Sequence, residues 1–130
     1  MKILLVEDSM LLREIITDFF ISYEHIDISQ FADTQISAID RLNLQQFDML
    51  LLDIELAQGN GFEVIKHMQT SDYTFKPPMV MILSNNNHPH YRKYAKELGV
   101  HHFFDKSMDF LLAIDTIIAS ANTYKTTKPH

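Results

Sequence analysis

The chain has 130 residues, 46% apolar and 22% charged, which suits one globular domain with a real core. Its net charge of −6, from 17 acidic and 11 basic side chains, argues against sequence-independent nucleic-acid binding, which needs clustered Lys and Arg. The absence of cysteine excludes disulfides and thiolate metal sites, and neither a membrane-length apolar run nor a signal-peptide layout is present, so a cytoplasmic protein is the default expectation.

Lys2-Ile3-Leu4-Leu5-Val6 reads as a short buried strand running into two adjacent acids, Glu7 and Asp8. Ser9 or Asp8 can cap the helix that follows, whose apolar positions are Leu12, Ile15, Ile16, Phe19 and Phe20. Ile26-Asp27-Ile28 alternates like a second, weaker strand. Asp33 can cap a helix carrying Ile36, Ile39 and Leu42, ending near Leu44. Met49-Leu50-Leu51-Leu52 is uniformly apolar, as a strand buried on both faces is, and Asp53 stands where it leaves the core. Phe62, Ile65 and Met68 mark a third helix after Gly61, broken off by Pro77-Pro78. Met79 to Leu83 is a fourth buried strand ending at Ser84, followed by a polar loop of Asn85, Asn86 and Asn87. His88-Pro89-His90 opens a fourth helix, with proline in the first turn, and Gly99 stops it. Val100 to Asp105 forms a fifth strand ending at Lys106. Ser107 is placed to cap a last helix with Phe110, Ile114, Ile117, Ile118 and Ala121 inward. Residues 123–130 read as a polar tail beyond a domain of residues 1–122.

Strands alternating with helices in this way make a (βα)5 chain of the α/β class, a doubly wound parallel sheet with helices on both faces. In such a sheet all carboxyl ends lie on one edge, the edge where ligands bind. Glu7, Asp8, Asp53, Ser84 and Lys106 therefore converge. Three clustered carboxylates need a cation to stay ionised, and Mg2+ suits them because it takes a few carboxylates while keeping waters and phosphate oxygens. Lys106 would neutralise phosphate oxygens, Ser84 would donate a hydrogen bond, and an aspartate beside the metal can act as a nucleophile towards phosphorus.

On these residues the chain resembles the response-regulator receiver domains of two-component signalling, over essentially all of residues 2 to 121, and is similar to stand-alone regulators of the chemotaxis type. The resemblance implies a flavodoxin-like five-stranded sheet in the order 2-1-3-4-5. It implies Asp53 as phosphoacceptor, with Mg2+ held by Glu7, Asp8, Asp53 and the backbone carbonyl of Glu55. Ser84 takes the hydroxyl position, Lys106 the lysine position, and Phe103 the switch aromatic. Gly61, eight residues after Asp53, matches the family's turn glycine. The chain also departs from the pattern. Ala57 stands where the family usually has proline, which implies a less rigid loop after Asp53. The family's Lys-Pro pair is Lys106-Ser107, where a cis bond would cost about 3–4 kcal/mol without proline. Phe103 lacks the hydroxyl of the commoner tyrosine, so the switch relies on ring packing.

The implied partners are a histidine kinase or phosphotransfer protein upstream and a target protein downstream, with no nucleic acid and no membrane. The expected output face joins the fourth helix, fifth strand and fifth helix and displays Arg92, Lys93, Lys96 and Phe103. Other readings compete. The chain could be the receiver part of a longer DNA-binding regulator; the stand-alone reading is preferred. Asp53-x-Glu55 resembles phosphatases with an aspartyl nucleophile, but those need a cap for substrate and this chain has no spare length. A flavodoxin-like cofactor binder would need a phosphate cradle after the first strand, where Glu7 and Asp8 repel phosphate. His88, His90, His101 and His102 suggest a zinc site. His101 and His102, adjacent on a strand, would however point to opposite faces.

Overall fold

The computed structural model describes residues 1–86 and 88–127. Five strands alternate with five helices: β1 (Lys2–Val6), α1 (Met10–Phe20), β2 (Asp27–Ala32), α2 (Gln35–Leu44), β3 (Met49–Leu52), α3 (Gly61–His67), β4 (Met79–Ser84), α4 (Pro89–Glu97), β5 (His102–Asp105) and α5 (Phe110–Thr127). The sheet is parallel throughout and ordered β2-β1-β3-β4-β5, as expected.

The apolar runs of β1, β3 and β4 are continuous because both their faces are covered. Ile3, Leu5, Met49, Leu51, Met81 and Leu83 meet α1 and α5 through Ile16, Phe20, Ala113, Ile114 and Ile117. Their alternates, Leu4, Val6, Leu50, Leu52, Val80 and Ile82, meet the other helices through Ala38, Leu42, Val64, Ile65 and Ala95. Two cores on opposite faces of one sheet thus follow from the strand period of two.

Several boundaries differ from expectation. β2 extends to Ala32, because pairing with β1 carries it past Ile28. The cap of α2 is Thr34, not Asp33: Thr34 Oγ1 accepts from the Ser37 N–H at 3.0 Å while the Ser37 hydroxyl accepts from the Thr34 N–H, a reciprocal box. α2 buries Ala38 and Leu42 and leaves Ile36 exposed. α3 stops at His67, well before Pro77-Pro78, and Met68 begins a run of turns. β5 begins at His102, so His101 precedes it; the His101 backbone and its Nδ1 both engage Val80. α5 starts at Phe110 rather than directly after Ser107. α5 also runs to Thr127, into the expected tail, with Tyr124 half-buried. Asn87 and residues 128–130 lie outside the described residues. Among the described residues no helix is long and apolar enough to cross a membrane.

Candidate functional site

Register assembles the site. Val6 pairs with Leu52 and Leu52 with Ile82, so Glu7 and Asp53 emerge side by side at the carboxyl edge. The Asp53 N–H donates to Val6 O at 3.0 Å, which carries the sheet one residue further. On the far side Ser84 pairs with Asp105, and the Lys106 N–H donates to Ser84 O at 3.0 Å. The five residues expected to converge do lie on this edge.

Glu7, Asp53 and Ser84 are buried, and Asp8 is exposed. Each of Glu7, Asp8 and Asp53 offers an oxygen within 4.8 Å of the others. Lys106 Nζ bridges the two buried carboxylates, 2.8 Å from Asp53 Oδ2 and 2.9 Å from Glu7 Oε2. Burial pushes the Glu7 carboxyl above its ordinary value, against the opposing pull of hydrogen bonds from Lys106 and the Ser9 N–H. For Lys106, burial works to lower the pKa, but the hydrogen bonds and charges of Asp53 and Glu7 outweigh it, and the net shift is upward.

The mouth is a cleft of ≈ 410 Å³ lined by Asp53, Glu55, Ser84, Asn85, Asn86 and His88. Ser84 Oγ accepts from the Asn86 N–H at 3.2 Å. The Asn86 amide reaches Glu55 Oε1 at 3.4 Å, and the Glu55 N–H faces Asp53 Oδ1 at 3.4 Å, both long contacts. Glu55 is exposed and forms an isolated antiparallel bridge with Asn60, so the loop after Asp53 folds back on itself. Gly61 makes that return possible: a Cβ there would meet Asp53 O and Leu52 Cγ, and its N–H donates to Ile54 O at 2.7 Å.

Sequence reading missed Asn86, which ties Ser84 to Glu55, and Asp105. The Asp105 carboxylate accepts from the Ser107 N–H at 2.8 Å and the Met108 N–H at 3.0 Å, and so shapes the loop carrying Lys106. The signal was an aspartate opening a turn before a lysine. The described residues contain no cis peptide, so Lys106-Ser107 is trans. Ser107 sits in this turn, 3.5 Å from Asn85 Oδ1.

The remaining expected residues lie to one side. Phe103 is half-buried against the α4 side of the sheet. Lys93 and Lys96 are exposed on α4. The Arg92 guanidinium lies over the Phe103 ring, 4.6 Å from its centroid, instead of pointing away from the molecule. The four histidines do not form a metal cluster: among the described residues only Glu7, Asp8 and Asp53 do so. His88 instead caps α4, its Nδ1 accepting from the His90 N–H at 3.1 Å.

Comparison with known proteins bears on the family and the fold. A family model described as the response regulator receiver domain matches residues 3–118. The chain is 30% identical over 107 residues to the transcriptional regulatory protein CitB of Klebsiella pneumoniae, covering 82% of this chain and 44% of CitB. It is 28% identical over 110 residues to a protein-glutamate methylesterase/protein-glutamine glutaminase of Desulfotalea psychrophila, covering 84% of this chain and 30% of that enzyme. The chain thus spans less than half the length of these relatives. In fold it is similar to the response regulator domain of Thermotoga maritima CheB, with a TM-score of 0.77, 21% identity and coverage of 99% and 98% of the two chains.

Proposed function

Since the chain belongs to the response regulator receiver domain family, a family of signalling modules, we propose that it takes a phosphoryl group onto Asp53, and that the group's arrival changes which protein it binds. The observation that carries this reading is the buried Asp53 carboxylate, joined to Glu7 through one lysine and open to a polar cleft. An Asp53 oxygen attacks phosphorus as the donor's P–N bond breaks, and the bonding pair leaves with the donor's imidazole nitrogen. An acyl phosphate on Asp53 results.

The donor set fits Mg2+: three carboxylate oxygens from Glu7, Asp8 and Asp53 within reach of one hard cation, with Asp8 on the solvent side. We assign the Glu55 carbonyl to the same shell. Bound there, the ion would offset the negative charge shared by phosphate and carboxylates. The chain's own residues do the rest. Lys106 turns from carboxylate oxygens to phosphoryl oxygens, and the Ser84 hydroxyl donates to the group from the far wall. Phe103 follows Ser84.

We propose a histidine kinase or phosphotransfer protein as donor and a target protein as recipient of the signal. Incubation with a small acylphosphate or phosphoramidate and Mg2+ should load one phosphoryl group per chain, and Asp53→Asn should abolish loading with unchanged circular dichroism. Equal loading of that variant would refute Asp53 as acceptor. Steady turnover of phosphomonoesters would instead indicate a phosphatase.

A further inference from the structure

Arg92 was expected to face a partner, yet both its contacts run inward to a single residue. Its Nη1 donates to Phe103 O at 3.1 Å, and its guanidinium covers the Phe103 ring at 4.6 Å. One contact pins the β5 backbone and the other pins the side chain. Only arginine can do both, because its planar group donates in-plane while its face stacks. Phe103 pairs with Ile82 on the strand that carries Ser84 at its end, and its ring borders the core that includes Ile82 and Ala95. The ring therefore sits half-buried between that core and Arg92 of α4.

We propose that Arg92 is a positioning residue that latches Phe103 in its resting place, so that the loaded state of Asp53 forms at the expense of the guanidinium–ring stack. This rests on the phosphoacceptor reading of Asp53. If the Ser84 hydroxyl moves towards a phosphoryl group, space opens behind it and the ring turns inward. That turn preserves the Phe103 carbonyl bond and breaks the stack. The guanidinium on α4, the helix that also carries the exposed Lys93 and Lys96, is then released from the ring. A switch of this kind needs an element with two arrangements that the ligand biases, and the stack supplies the bias towards rest.

The test measures affinity for Mg2+–beryllofluoride, a tetrahedral phosphoryl mimic. Removing the latch enlarges the population competent to bind, so apparent affinity rises by the same factor. Arg92→Met should bind the mimic about two- to fivefold more tightly, the range an exposed cation–π contact supports. Arg92→Lys should fall between that variant and the unaltered chain. On a Phe103→Ala background, Arg92→Met should change nothing, because the residue acts through the ring. Unchanged or weaker affinity in Arg92→Met would overturn the latch, and would mark Arg92 as a simple bolt between α4 and β5. So would an equal gain on the Phe103→Ala background. If the unaltered chain shows no affinity for the mimic, the phosphoacceptor reading falls first and takes the latch with it.

Discussion

At the scale of residues, the site is a charge arrangement under strain from burial, and its pH dependence follows. Glu7 holds its proton more tightly in the fold than in the unfolded chain, chiefly because burial penalises its carboxylate. A raised carboxyl pKa means the folded state binds more protons than the unfolded state between the ordinary value of 4.5 and the raised one. Stability should therefore fall as pH rises through that window. Glu7→Gln should flatten that slope and raise the urea midpoint at neutral pH; an unchanged slope would show that Glu7 is not its source. Lys106 is shifted in the same direction, in a more alkaline window and for a different reason, its pairing with Asp53 and Glu7. Its contribution should be complete below 10.5 and lost as pH rises through its raised folded value. Lys106→Ala leaves two buried carboxylates without their common cation, at a cost of roughly 1.5–3 kcal/mol. Mg2+ should raise the melting temperature of that variant more than that of the unaltered chain, since a divalent ion can replace the missing charge. Asp8→Ala should instead weaken Mg2+ binding, having lost a hard oxygen ligand.

The elements show where a sequence is legible and where it is not. β1, β3 and β4 were readable because burial on both faces demands an uninterrupted apolar run, and few other structures do. The site edge was readable for the same reason: each polar residue that ends such a run marks where the chain leaves the core. β2 was cut short because Gln30 and Phe31 break the alternation, while pairing with β1 holds them in the strand. The α2 cap was misplaced by one residue, since Asp33 and Thr34 are both capable caps and the choice rests with Ser37. Thr34→Ala should thus cost about 1 kcal/mol in denaturant unfolding, and Asp33→Ala close to nothing. A larger loss at Asp33 would reverse the assignment. The helical course of residues 123–127 was not visible either, because their polar side chains carry no apolar period. The Arg92 stack was beyond sequence reading altogether, being a contact between α4 and β5 that no local spacing reports.

For the whole molecule, the acidic balance and the basic side of α4 define a polarity. Lys93 and Lys96 are exposed there on a chain of net charge −6, so a partner docking on α4 should present acidic side chains. Charge reversal at Lys93 and Lys96 should leave phosphoryl loading intact and slow association with a downstream target several-fold at low salt, an effect that high salt should erase. Association insensitive to both changes would place the output on another face. All of this depends on where the phosphoryl group resides. The most direct measurement is borohydride reduction of the loaded chain followed by peptide mass spectrometry, since reduction converts an aspartyl phosphate to homoserine. The account predicts homoserine at position 53, formed only when both phosphodonor and Mg2+ were present. Homoserine at another aspartate, or phosphate retained on a serine or histidine, would contradict it.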